Sequence, residues 1–223
     1  TVIVCLNGVF GGRMAENVRR AGGTAVMVEA PWGRAIDPDA LRKSLQSHPE
    51  AKLVAFVHAE TSTGARSDAE ALARLAREYD CLSVADTVTS LGGTPLRVDD
   101  WGLDAVYSGT QKCLSCTPGL SPTTMSERAL SKIKDRSSPV QSWFLDVNLL
   151  NSYWDQSGGR TYHHTAPVHT LFALHESLLL LHEAGLEQSW QRHEQTHGLL
   201  RRGLEELGLQ LLVPEGERLW QLN

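Results

Sequence analysis

The sequence predicts an α/β protein, a mostly parallel sheet sandwiched by helices, and two observations lead there. Short apolar runs rich in β-branched residues recur through the first half of the chain, and stretches of helical period separate them. Strands that are apolar along their whole length are buried on both faces, which a parallel sheet between two helical layers provides.

In chain order, TVIVCL (1–6) reads as a strand, GGRMAENVRRAGG (11–23) as a helix closed by glycines, and TAVMVEA (24–30) as a second strand. DPDALRKSLQSHP (37–49) is a helix with Asp37 as N-cap and Pro38 at the first helical position. KLVAFVHAE (52–60) is a strand, SDAEALARLAREYD (67–80) a helix, and CLSVADTV (81–88) a strand. LDAVYSG (103–109) is another, and LSPTTMS (120–126) is a candidate for one more. From SERALSKIK (126–134) onward the texture is helical, through SWFLDVNLLNSYW (142–154) and a long periodic run from Pro167 to Gly208 with a break near Gly185. LQLLVPEGERLWQLN (209–223) reads as the first strand of another unit. The expected division is a large domain over 1–185 and the start of a small C-terminal domain over 186–223. Both chain ends read as cuts within a longer protein.

A hydrophobic fraction of 41% and a charged fraction of 21% are those of an ordinary soluble globular protein. The net charge of −5 gives no reason to expect nucleic acid or an anionic membrane as partner. No apolar run approaches the ~20 residues that span a bilayer. Cys5 and Cys81 lie in strand-like runs, where a thiol acts as a small hydrophobe. Cys113 and Cys116 form a lone C-x-x-C without a second pair for zinc or a thioredoxin-like context. Reduced thiols, no metal, and a cytoplasmic or other intracellular setting are the expectation.

In a parallel α/β sheet, ligands bind beyond the carboxyl ends of the strands. The residues at those ends are Asn7-Gly8-Val9-Phe10, His58-Ala59-Glu60-Thr61, Asp86-Thr87 and Ser108-Gly109-Thr110-Gln111-Lys112. Asp86 alone reads as well as a helix cap or turn aspartate, and Lys112 alone as a surface lysine. Together, at the ends of successive strands, they form a pair of distinct chemistry. A lysine can form a Schiff base, and an aspartate can hold a pyridine nitrogen protonated, which is what pyridoxal phosphate requires. His193 and His197 stand at metal-ligand spacing in QRHEQTHGLLRR, but that polar stretch reads as a solvated helix face. The glycines of SLGGTP (90–95) read as turn formers, not a dinucleotide loop.

These residues make the sequence recognisable. NGVFGGR (7–13), HAETSTG (58–64), ADTVTSLGGTPL (85–96), YSGTQK (107–112) and YHHTAPV (162–168) resemble the class V aminotransferases of the fold type I pyridoxal-phosphate enzymes, nearest the alanine–glyoxylate / serine–pyruvate subgroup. The resemblance implies pyridoxal 5'-phosphate as cofactor, with Lys112 as imine anchor and proton carrier and Asp86 on the pyridinium nitrogen. It implies Phe10 as the aromatic stacked on the ring, where the family often has tryptophan. Thr61 would sit near the phenolic oxygen, with Gln111 and Ser108 on the approach to the phosphate. Tyr162 and Thr165 would reach the phosphate of a neighbouring subunit, which implies a homodimer with shared active sites; alone, YHHT reads as a polar loop. The family's phosphate-wrapping glycine segment lies upstream of NGVFGGR, and its substrate-carboxylate arginine lies in the small domain, so no arginine here takes that role. The implied activity is amino transfer between small amino acids and keto acids in ping-pong order. The alternatives are a lyase or desulfurase of the same class, and a non-catalytic dimerisation module. Gln111 stands where desulfurases usually have histidine, which argues against the first.

Overall fold

The computed structural model describes residues 1–154 and 159–223. Alternation along the strands decides its layers, because successive side chains point to opposite faces. In β1 (Val2–Leu6), Ile3 and Cys5 pack into one buried cluster while Val4 packs into another. In β3 (Leu53–Val57), Val54 and Phe56 join the first cluster, and Ala55 and Val57 the second. Helix α1 (Val9–Arg20) covers the second cluster with Met14 and Ala15. Helices α2 (Pro38–Ser47) and α3 (Ala69–Glu78) cover the first with Leu41, Leu45, Leu72, Leu75 and Ala76. Phe56 is fully buried at the centre of that layer, a contribution of about 1.5–3 kcal/mol for its side chain.

With β2 (Ala25–Glu29), β6 (Leu82–Asp86), β7 (Ala105–Tyr107) and β8 (Thr123–Met125), the main sheet has six strands in the order β2-β1-β3-β6-β7-β8. All neighbours are parallel except β7 and β8, which run antiparallel. The fold class is therefore the one the sequence predicts. The chain steps outward from β1 to β2 beneath α1, then crosses to the other face to reach β3. The strand order thus reverses between β1 and β3, which is where open α/β sheets bind ligands.

Local chemistry sets most boundaries. Asp37 accepts from the Asp39 amide with Pro38 at the first helical position, and Asp68 caps α3 by accepting from the Ala71 amide. Ser126 does the same for α4 (Glu127–Lys134) through the Ala129 amide. The break near Gly185 is real: Gly185 has φ 84° and separates α6 (Val168–Ala184) from α7 (Leu186–Glu206).

Four features depart from the sequence reading. KLVAFVHAE is not one strand. After His58 the chain leaves the main sheet and forms an antiparallel hairpin, β4 (Ala59–Glu60) with β5 (Ala65–Arg66), closed by Gly64 at φ 80°. Helix α5 (Val147–Trp154) begins five residues later than read, because Asp146 caps it by accepting from the Asn148 amide. Residues 209–223 form no strand but a turn with a short 3-10 helix. They lie against the β4–β5 hairpin, where the Leu219 amide donates to Gly64 at 3.0 Å and Leu219 is 1% exposed. His197 is buried, not on a solvated face, with its Nδ1 against Asn223 Oδ1. No helix among the described residues is long and apolar enough to cross a membrane.

Candidate active site

Each strand delivers its functional residue by ending where it does. β1 stops at Leu6, and the chain turns into α1, so Phe10 falls in the helix's first turn. β3 stops at Val57 and hands the chain to the hairpin that carries Thr61. β6 ends on Asp86 itself. β7 ends at Tyr107, and the loop behind it is tied back by the Ser108 amide to Pro122 and the Thr110 amide to Leu120, before the turn that presents Gln111 and Lys112.

Phe10, Val57, Ala59, Thr61, Asp86, Val88, Gln111 and Lys112 together line one cavity of about 200 Å³. An aromatic ring, a hydroxyl, a carboxylate, an amide and a primary amine thus converge from four separate strand ends. Lys112, however, is exposed: it stands at the mouth of the cavity in a turn closed by the Ser115 amide on the Lys112 carbonyl, not at the end of a buried strand. The strand is shorter than the apolar run suggests, because Ser108 and Thr110 spend their amides on the neighbouring loop.

Asp86 is both a turn aspartate and a site carboxylate. Its Oδ1 accepts from the Val88 amide at 2.9 Å, and the Tyr107 hydroxyl approaches it as well. Burial pushes the Asp86 carboxyl above the ordinary aspartate range, those two bonds pull it back, and the charge of Glu60 pushes it up again. Burial and the neighbouring carboxylate likewise push the Tyr107 phenol up, so it stays a donor to Asp86. Thr61 shares a short hydroxyl–hydroxyl bond of 2.5 Å with Thr89. The Arg13 guanidinium lies 4.9 Å from the centre of the Phe10 ring, on whose face it rests.

Three expected residues lie outside this cavity. Ser108 is buried with its hydroxyl donating to the Thr87 carbonyl at 3.0 Å. Tyr162 and Thr165 bond each other, hydroxyl to hydroxyl at 2.7 Å, in a separate open cleft of about 640 Å³. Tyr162 is 72% exposed there. His58, on the strand-end rim, turns into the core edge-on to Trp101 at 5.6 Å, and burial lowers it to about 3.

Val88 and Glu60 are among the participants to which the sequence reading gives no role. Val88 walls the cavity beyond Asp86, and only its position two residues after a strand-end acid hinted at it. Glu60, which the sequence reading places at a strand end without a role, is fully buried and accepts four hydrogen bonds.

Comparison with known proteins gives the family. The aminotransferase class-V family profile matches residues 13–219. An alanine–glyoxylate aminotransferase of Oryctolagus cuniculus is 42% identical over 96% of this chain and 54% of its own length. Among solved structures, an alanine–glyoxylate aminotransferase from Nostoc sp. superposes with a TM-score of 0.94 at 44% identity, covering 98% of this chain and 57% of that one. A ureidoglycine–glyoxylate aminotransferase from Bacillus subtilis superposes at 0.93 with 35% identity, covering 98% and 56%. The chain spans about half the length of the relatives it matches. On the family match and these likenesses together, the chain belongs to the class V aminotransferases of fold type I, with its nearest likeness in the alanine–glyoxylate subgroup.

Proposed function

We propose that the complete protein carrying this chain transfers an amino group from a small amino acid, alanine or serine, to glyoxylate or pyruvate. One observation carries the reading: the convergence of Phe10, Thr61, Asp86, Gln111 and Lys112 on a single cavity at the strand-order reversal. The printed activities of the relatives, amino transfer to glyoxylate among them, support the same substrate class.

The donor set fits pyridoxal 5'-phosphate, the cofactor of the family. A primary amine at the cavity mouth can anchor an aldehyde, and a buried carboxylate can hold a proton on a ring nitrogen. When bound, the cofactor supplies an electron sink for the carbanion that forms at the substrate Cα. Lys112 would hold it and then take and return the Cα proton as general base and acid. Asp86 would keep the ring nitrogen protonated, and its raised basicity suits that task. Phe10 would stack on the ring, Thr61 would orient the phenolic oxygen, and Gln111 would donate to the phosphate. The Ser108 hydroxyl is already engaged at Thr87, so Gln111 carries that role here. Tyr162 and Thr165, exposed in their own cleft, would reach the phosphate of a second copy in a homodimer. The proposed boundary between a large domain over 1–185 and a small domain from 186 falls at the Gly185 helix break, although residues 209–223 pack back on the β4–β5 hairpin.

Nothing in the site favours desulfuration. The Cys113 thiol points to the Thr89 carbonyl, and burial pushes it up, away from a nucleophilic thiolate.

The expected kinetics are ping-pong: with alanine and glyoxylate varied together, double-reciprocal plots are parallel, and alanine alone releases one pyruvate per site. Intersecting lines, or neither pyruvate from alanine nor hydroxypyruvate from serine in the half-reactions, would remove this reading.

A further inference from the structure

We infer that Glu60 is a positioning residue for Phe10: with Ser62 it fixes the first turn of α1, and so the plane that a cofactor ring would meet. The inference rests on the pyridoxal phosphate reading above.

A helix leaves its first amides without intrahelical partners, and a side chain near the start normally satisfies one of them. Helix α1 supplies none of its own. Its N-cap is Gly8, no side chain caps it, and its first turn holds no acid. The cap comes from the hairpin fifty residues away in sequence. The Val9 amide donates to Ser62 Oγ at 2.9 Å, the Phe10 amide to Glu60 Oε1 at 3.4 Å, and the Gly11 amide to Glu60 Oε2 at 3.2 Å. Ser62 closes the arrangement by donating its own amide and hydroxyl to Glu60 Oε1, at 3.1 and 2.6 Å. All four partners of the carboxylate are donors, and an acceptor-only group at the positive end of a helix is well placed electrostatically.

Two further observations tie this cap to the cavity. Glu60 is fully buried against Gly8, where any β-carbon would collide with the glutamate side chain and with Ser62 Oγ. The glycine therefore permits the carboxylate's close approach to the backbone. Thr61, between the two capping residues, lines the cavity with Phe10. Residues 60 and 62 hold the helix while residue 61 faces the site, so one short segment sets both the ring platform and the hydroxyl.

The test is a double-mutant cycle in the complete protein, read by pyridoxal phosphate affinity and by the visible circular dichroism of the bound cofactor. Glu60→Gln keeps the shape but removes the charge. It is expected to weaken binding about tenfold, the scale of one charged hydrogen bond, and to reduce the dichroism. In a Phe10→Ala background the same change is expected to cost less than about twofold, because the platform it positions is gone. An equal loss in both backgrounds, or wild-type affinity in Glu60→Gln, would overturn the inference. Should Glu60→Gln not fold, Ser62→Ala serves in the same cycle, with about a threefold loss expected on the same grounds and the same outcomes deciding. If the wild-type protein binds no pyridoxal phosphate, the cofactor reading fails and takes the inference with it. If wild type and Phe10→Ala bind equally, the cofactor reading stands and the inference alone falls.

Discussion

Replacing Lys112 by alanine in the complete protein is expected to lower turnover by at least about 10⁴-fold while leaving the fold intact. A positioned proton carrier alone contributes about 10²–10⁴-fold, and the same nitrogen is the covalent anchor, so both functions go together. The fold should not notice. Lys112 is exposed in a turn whose closing bond uses its backbone carbonyl, which alanine keeps. Surface changes of this kind stay within about 0.5 kcal/mol. Steady-state rates and a thermal melt on the same preparation check both halves. A melt lost along with turnover would make the lysine structural instead.

Asp86→Asn is expected to move activity and stability in opposite directions. The amide can still accept from the Val88 amide, but it cannot hold a proton on a ring nitrogen as a carboxylate does. Losing one charged hydrogen bond corresponds to a fall in turnover of about 10–100-fold. Stability follows from linkage. Burial raises the folded-state pKa of Asp86 above its unfolded value. Its favourable contribution is therefore complete below the ordinary aspartate range and is lost as pH rises through the raised folded value. Asparagine does not titrate, so the cofactor-free variant should melt above the wild type at pH 7, and the gap should close as pH falls below the ordinary aspartate range. Melting curves across that range decide it. A gap that widens toward acid would mean that the carboxylate is stabilised, not strained, by its surroundings.

How much of this was legible follows element by element. The five parallel strands and the first three helices were readable because burial on both faces imposes unbroken apolar runs on β1 and β3, apolar runs between helical periods mark the other strands, and Asp37-Pro38 announces a helix start in two residues. Asp86 and Lys112 were readable as a pair because a parallel sheet aligns the carboxyl ends of its strands. The hairpin after His58 was not, since a strand leaving its sheet keeps the same residue types and only Gly64 marks the turn. Nor was the exposure of Lys112, which depends on where the Ser108 and Thr110 amides find partners some ten residues further on. The capping role of Glu60 was not readable for the same reason: its place at a strand end is in the sequence, but its partners at Phe10 and Gly11 are some fifty residues away.

The most direct test of the central claim is borohydride reduction of the complete protein mixed with pyridoxal phosphate, followed by peptide mapping of the label. The site described here predicts a phosphopyridoxyl group on Lys112 and on no other lysine. No label, or label scattered over surface lysines such as Lys43 and Lys52, would contradict it.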